Sequence, residues 1–117
     1  ITSCRWNTTN TGGLYDPASD EWKSTNMQGA PNISFPDYGL APAVWSGDEL
    51  IVWSEGGGGR YNPVTNYWFS IWTSDAPSGR AEHTVTWAGS KMVVWGGVFA
   101  SVLNTGGIYE PSLDPNQ

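Results

Sequence analysis

Gly13-Leu14-Tyr15-Asp16-Pro17, Gly59-Arg60-Tyr61-Asn62-Pro63 and Gly107-Ile108-Tyr109-Glu110-Pro111 align without a gap, and their tyrosines stand 46 and 48 residues apart (15 to 61, then 61 to 109). Self-similarity at a period of about 20–50 residues marks an array of small units, each unable to bury its own apolar faces and therefore stacked on its neighbours. Seven residues after the first two tyrosines come Trp22 and Trp68. Between the tyrosine segments, Trp45-Ser46-Gly47-Asp48-Glu49-Leu50-Ile51-Val52-Trp53 matches Trp87-Ala88-Gly89-Ser90-Lys91-Met92-Val93-Val94-Trp95 at an offset of 42 (53 to 95). The unit thus reads strand, tight turn, strand, loop, Gly-Gly-x-Tyr strand, turn, Trp strand.

Composition agrees with an all-β chain. Fifteen Gly and 8 Pro punctuate 117 residues, and 8 Trp supply large flat side chains for a thin core. No window sustains a 3.6-residue apolar period, so no long helix is expected. Eleven acidic against five basic residues give a net charge of −6. The five cations, Arg5, Lys23, Arg60, Arg80 and Lys91, are scattered, which argues against nucleic acid and against an anionic membrane surface. No apolar run approaches the ~20 residues that span a bilayer. Cys4 is the only cysteine, so no internal disulfide forms, and no Cys/His cluster suggests zinc. The chain opens at Ile1 without a basic n-region or apolar h-region, which reads as a processed chain or a piece of a longer one. Asn7-Thr8-Thr9 and Asn32-Ile33-Ser34 are glycosylation sequons that matter only in a host that uses them.

The order His83-x-x-x-Trp87-x-Gly89, then Met92-Val93-Val94-Trp95-Gly96-Gly97, then Thr105-Gly106-Gly107-x-Tyr109-x-Pro111 resembles the Kelch motif, in its bacterial form, over residues 11–111. Kelch repeats run ~50 residues and build one four-stranded β-propeller blade each. The resemblance implies strands C and D of a first blade at 11–24, a complete blade at 39–72, and strands A to C of a further blade at 81–111. Gly13, Tyr15, Trp22, Gly59, Tyr61, Trp68, Trp95, Gly96, Gly97, Gly107 and Tyr109 are its structural repeat positions. Trp22 and Trp68 are expected to wedge between blades, each ring contributing about 1.5–3 kcal/mol on burial. Asp16, Asn62 and Glu110 share a repeat position and are read as turn caps, with calcium a minor alternative. Where a third Trp would stand is Asn116. Partial blades cannot close a ring of ~4–8, so the chain is expected to be a segment of a longer propeller or to assemble with other chains.

Antiparallel strands put the A–B and C–D turns on one rim and the long B–C and D–A connections on the other. The second rim, with 24–38, 54–58, 74–80 and 97–104, is the expected binding surface. Its candidate contact residues are Arg60, Arg80, Val98, Phe99 and Leu103, with Trp6 and Trp72 either exposed aromatics able to stack on sugars or rings packed against neighbouring blades. The stretch from Val98 to Leu103 is the most pointed, since four large apolar residues in a surface loop suggest a partner, or else packing on its own blade or a neighbouring one. His83, the only histidine, enters strand A within Arg80-Ala81-Glu82-His83 and reads as a packed residue. No serine sits in a nucleophile elbow, and no carboxylate pair can be singled out among eleven.

Three functions stay open: a non-catalytic module that binds a protein or glycan, a structural subunit, and part of a propeller enzyme. Proteins with similar repeats include copper oxidases and sugar isomerases, but a copper site needs more His than this stretch holds. No cofactor or metal is expected, and the setting reads as extracellular or envelope.

Overall fold

The computed structural model describes residues 11–31, 42–54 and 57–116. The strands among them pair only in antiparallel fashion. β1 (Gly13–Asp16) pairs with β2 (Glu21–Ser24), setting Tyr15 opposite Trp22. β3 (Ala43–Trp45), β4 (Leu50–Ser54), β5 (Gly57–Asn62) and β6 (Tyr67–Ser70) form a four-stranded sheet in chain order, with Tyr61 opposite Trp68 in the same register. β7 (Thr84–Ala88) and β8 (Lys91–Trp95) join β11 (Gly106–Tyr109) in a three-stranded sheet. Between β8 and β11 a small hairpin is inserted, β9 (Val98–Phe99) and β10 (Ser101–Val102). The chain is all-β, and among the described residues its sheets do not close into a ring. Where a fourth strand would follow β11, the chain instead makes a single 3-10 turn, Pro111–Leu113.

The turns follow from short polar side chains that replace backbone hydrogen-bond partners. Ser46 Oγ accepts the N–H groups of Asp48 and Glu49, at 3.3 and 3.0 Å, around Gly47 at φ 108°. Asp16 and Asn62 accept the N–H two residues on, Ala18 and Val64, both at 2.9 Å. Each of these turns ends in a left-handed residue that tolerates positive φ, Asp20 (57°) and Asn66 (59°).

A staple joins one unit to the next, and it repeats. The Tyr61 hydroxyl donates to Asn66 Oδ1 at 2.6 Å, and the same oxygen accepts the Asn26 N–H, from the segment that leaves β2, at 2.9 Å. One unit on, the Tyr109 hydroxyl donates to Asp114 Oδ2 at 2.5 Å, and that oxygen accepts the Trp72 N–H at 3.0 Å. Five residues after each N–H donor comes a proline. A Cβ on Gly107 would lie 2.6 Å from Pro77 Cδ and would displace the proline, and one on Gly59, at 3.0 Å from Pro31 Cδ, would press on it. Burial alone would raise the pKa of Asp114. The hydrogen bonds from Tyr109, Trp72 and Asn116, with the Arg60 charge, outweigh burial and hold it below the usual carboxylate range. Burial first, and then the bond to Asp114, pushes the Tyr109 hydroxyl up.

The core lies between the second and third sheets. Ile51, Trp53, Ile71, Met92 and Val94 are buried together, with Val44, Val85, Trp87 and Tyr109 packed at its edge. Met92 and Val94 alternate with exposed or half-buried neighbours along β8, the period-2 pattern of a half-covered strand. In β4, by contrast, Ile51, Val52 and Trp53 are all buried, as a central strand covered on both faces requires. Two expectations change. The 97–104 connection is partly regular, holding the β9–β10 hairpin. Trp22 does not fill a joint: it is 73% exposed, resting on Tyr15 at a centroid separation of 5.2 Å.

Candidate functional site

The hairpin is assembled from its base. Arg80 is 0% exposed and its guanidinium spends its donors on the two ends of the β8–β11 connection. Nη1 donates to the carbonyls of Gly96 and Thr105 at 2.9 and 2.8 Å, and Nη2 to Thr105 Oγ1 at 3.2 Å. Nε and Nη2 hold Ser78 through its carbonyl and its hydroxyl, at 3.0 and 3.3 Å. A planar fork with five N–H donors suits this clamp, and an ammonium does not. Arg80 was expected as a contact residue on the rim. It is instead the buried support of that rim.

Above the clamp, Ala81 and Val98 exchange both backbone hydrogen bonds, at 3.1 and 2.9 Å, and Leu103 N–H donates to the Gly97 carbonyl at 2.9 Å. Gly97 has φ 93°, and a Cβ there would come within 2.5 Å of the Ala81 carbonyl oxygen. The hairpin turns at Ala100, φ 62°. Val98 and Leu103 are half-buried at the base, whereas Phe99 is 48% and Val102 88% exposed. The result is a short, backbone-pinned ridge with two apolar side chains in solvent.

The remaining site residues separate. Arg60, also expected at the rim, is 3% exposed. It pairs with Glu49 at 3.1 Å, donates to the Asn116 carbonyl at 2.6 Å and lies over the Phe69 ring, so it ties the second sheet to the end of the third unit. Trp72 is 47% exposed and contributes its backbone N–H to the Asp114 staple. Trp6 lies outside the described residues. His83 is buried beside Gly97, and neither ring nitrogen has a hydrogen-bond partner among the described residues. Desolvation, helped by the Arg80 charge and opposed by the nearby Trp53 carbonyl, lowers its pKa.

Neither a family model nor a curated protein sequence matches this chain. The reading of its surface therefore rests on its own geometry. Among the described residues no group of three or more His, Cys, Asp or Glu side chains is placed to hold a metal ion, and no helix is long and apolar enough to cross a membrane. Asp16 and Asn62 cap their turns, while Glu110 accepts from Ser112 Oγ at 3.4 Å and faces Lys91 at 3.8 Å. On the short-turn side, a groove of about 430 Å³ opens between the second and third sheets, lined by Asp48, Glu49, Asn62, Ser90 and Trp87 among others.

Two functional features escape a reading by aligned tyrosines alone. The acceptor five residues after each tyrosine (Asp20, Asn66, Asp114) and the Ala-Pro pairs (Ala30-Pro31 and Ala76-Pro77) both recur at the repeat spacing. That spacing is the signal by which they can be found.

Proposed function

We propose that the chain is a run of Kelch-like propeller blades acting as a non-catalytic binding module, and that it grips a protein partner with the β9–β10 hairpin. The blades would be those at 11–24, 39–72 and 81–111. One observation carries the reading: Phe99 and Val102 stand exposed on a ridge whose base is fixed by the Arg80 clamp. An apolar ridge held rigid before binding loses little conformational entropy on docking, and an aromatic at its tip is the residue type that dominates interface energetics. The three Gly-Gly-x-Tyr strands and the repeated staple support the blade assignment.

The test is affinity capture from the source organism's extract, with wild-type chain and with Phe99→Ser and Val102→Ser. A partner lost at least tenfold with both variants, while their unfolding midpoints stay at the wild-type value, supports the reading. Partners captured equally by all three chains would refute it. The polar groove favours a second reading, glycan recognition, because the half-buried Trp87 lines it beside hydrogen-bonding side chains. Titration with neutral oligosaccharides, monitored for loss in Trp87→Ala, separates the two.

A further inference from the structure

Three units carry the tyrosine, its acceptor five residues on, and the glycine seat, and among the described residues two of the three seats are filled. At the second and third units a segment with one tight turn lies across the face, giving a backbone N–H to the acceptor oxygen (Asn26 to Asn66, Trp72 to Asp114) and a proline to the glycine (Pro31 on Gly59, Pro77 on Gly107). Before each proline the segment turns identically: Ala30 N–H donates to the Met27 carbonyl and Ala76 N–H to the Thr73 carbonyl, both at 3.1 Å, with Gly29 and Asp75 at positive φ. At the first unit the receiving half is already formed. The Tyr15 hydroxyl donates to Asp20 Oδ1 at 2.7 Å, Tyr15 and Trp22 pack at 5.2 Å against 5.1 Å for Tyr61 and Trp68, and Gly13 lies under the Trp22 ring as Gly59 lies under that of Trp68. Among the described residues no N–H reaches Asp20 and no proline meets Gly13. Exposure records the difference, with Tyr15 at 47% where Tyr61 is at 3%.

We infer that the Gly13–Trp22 face is a receptor for a peptide that presents a free backbone N–H and, after one tight turn, an Ala-Pro proline five residues downstream. Asp20 is a carboxylate where the filled second seat uses an amide, so the incoming N–H makes a charge-assisted bond. The apolar half of the contact is the proline ring lying on Gly13 and beside the Trp22 indole. The inference stands apart from the hairpin reading, since it uses neither Phe99 nor Val102.

The probe is a blocked synthetic peptide of the sequence Ser24 to Pro31, titrated into the full chain by calorimetry and by amide NMR. Saturable binding with shifts at Gly13, Tyr15 and Asp20 is expected. Asp20→Gly, which removes the acceptor and tolerates the positive φ, should weaken binding at least tenfold, whereas Asp20→Asn should retain it, because Asn66 does the same work. N-methylation of the peptide at the Asn26 amide should abolish binding in the same way. Binding that is indifferent to Asp20→Gly and to N-methylation overturns the inference. So does failure of the peptide to bind, including the case in which the chain instead self-associates through this face. Phe99→Ser should leave the peptide isotherm unchanged, which keeps failure here distinct from failure of the hairpin reading.

Discussion

Arg80 and Asn66 are where single side chains hold the most structure. Replacing Arg80 with lysine keeps the charge but cannot reach Ser78, Gly96 and Thr105 together, so of the three carbonyls it holds, some lose their donor. A cost of about 2–4 kcal/mol is expected, read as a lower urea midpoint with faster amide exchange at Leu103 and Val98. An unchanged midpoint in Arg80→Lys would show that the clamp is dispensable. Asn66→Ala removes the acceptor of both Tyr61 and Asn26 and should cost about 1–3 kcal/mol, while Asn66→Asp, copying Asp114, should cost much less. His83 and Asp114 set the response to acid. A buried imidazole with a lowered pKa favours its neutral form, so the unfolded chain binds more protons below its own pKa of about 6.5. The His83 contribution is therefore full above that pH and declines as the pH falls through the folded value. Asp114, held low, contributes stability above the unfolded carboxylate pKa of about 3.9 and loses it as the pH drops through its folded one. Urea midpoints across pH 8 to 3 should show two descending steps, the first removed by His83→Gln. A flat profile between pH 7 and 5 would contradict the burial of His83.

Among the elements, the hairpin and the glycine seats respond to added bulk. Gly97→Ala must shift the Ala81 carbonyl and adopt a strained positive φ, and should cost about 2–3 kcal/mol. Gly107→Ala pushes Pro77 from its seat and should cost about 1–3 kcal/mol, whereas Gly47→Ala, with nothing within 4 Å, meets only backbone strain. Thermal melts of the three variants rank them, and equal losses at Gly47 and Gly107 would mean that the proline seat carries no load. Legibility follows the same division. The β-strands, their antiparallel pairing and the capped turns at Asp16 and Asn62 could be read from the sequence, because period-2 alternation and turn chemistry are local. The destinations of Arg60 and Arg80 could not. A cation in a loop looks solvated until the fold brings backbone carbonyls or a carboxylate around it, and for Arg80 those carbonyls lie 16 and 25 residues away. Trp22 was misplaced for the converse reason. A tryptophan at a repeat position is buried only where another segment lies over it, and among the described residues none covers Trp22.

For the molecule as a whole, the sheets stand side by side rather than folding into a ball. The Cα radius of gyration is 15.1 Å, against about 13 Å for a compact chain of this length, within extents of 50 × 45 × 22 Å. Cohesion passes from neighbour to neighbour, through the core shared by the second and third sheets and through the staples. Met92→Ala, at 1% exposure in that core, should cost about 2–5 kcal/mol and lower hydrogen-exchange protection in both β4 and β8 while sparing β1–β2. Loss spread evenly over all three sheets would show a single cooperative unit instead. Each turn oxygen, Asn66 Oδ1 or Asp114 Oδ2, answers its own tyrosine and the stretch before it at once. A block of sequence copied in phase therefore brings along a donor for whatever follows and an acceptor for whatever precedes, so such an array can grow longer without a single contact having to be invented.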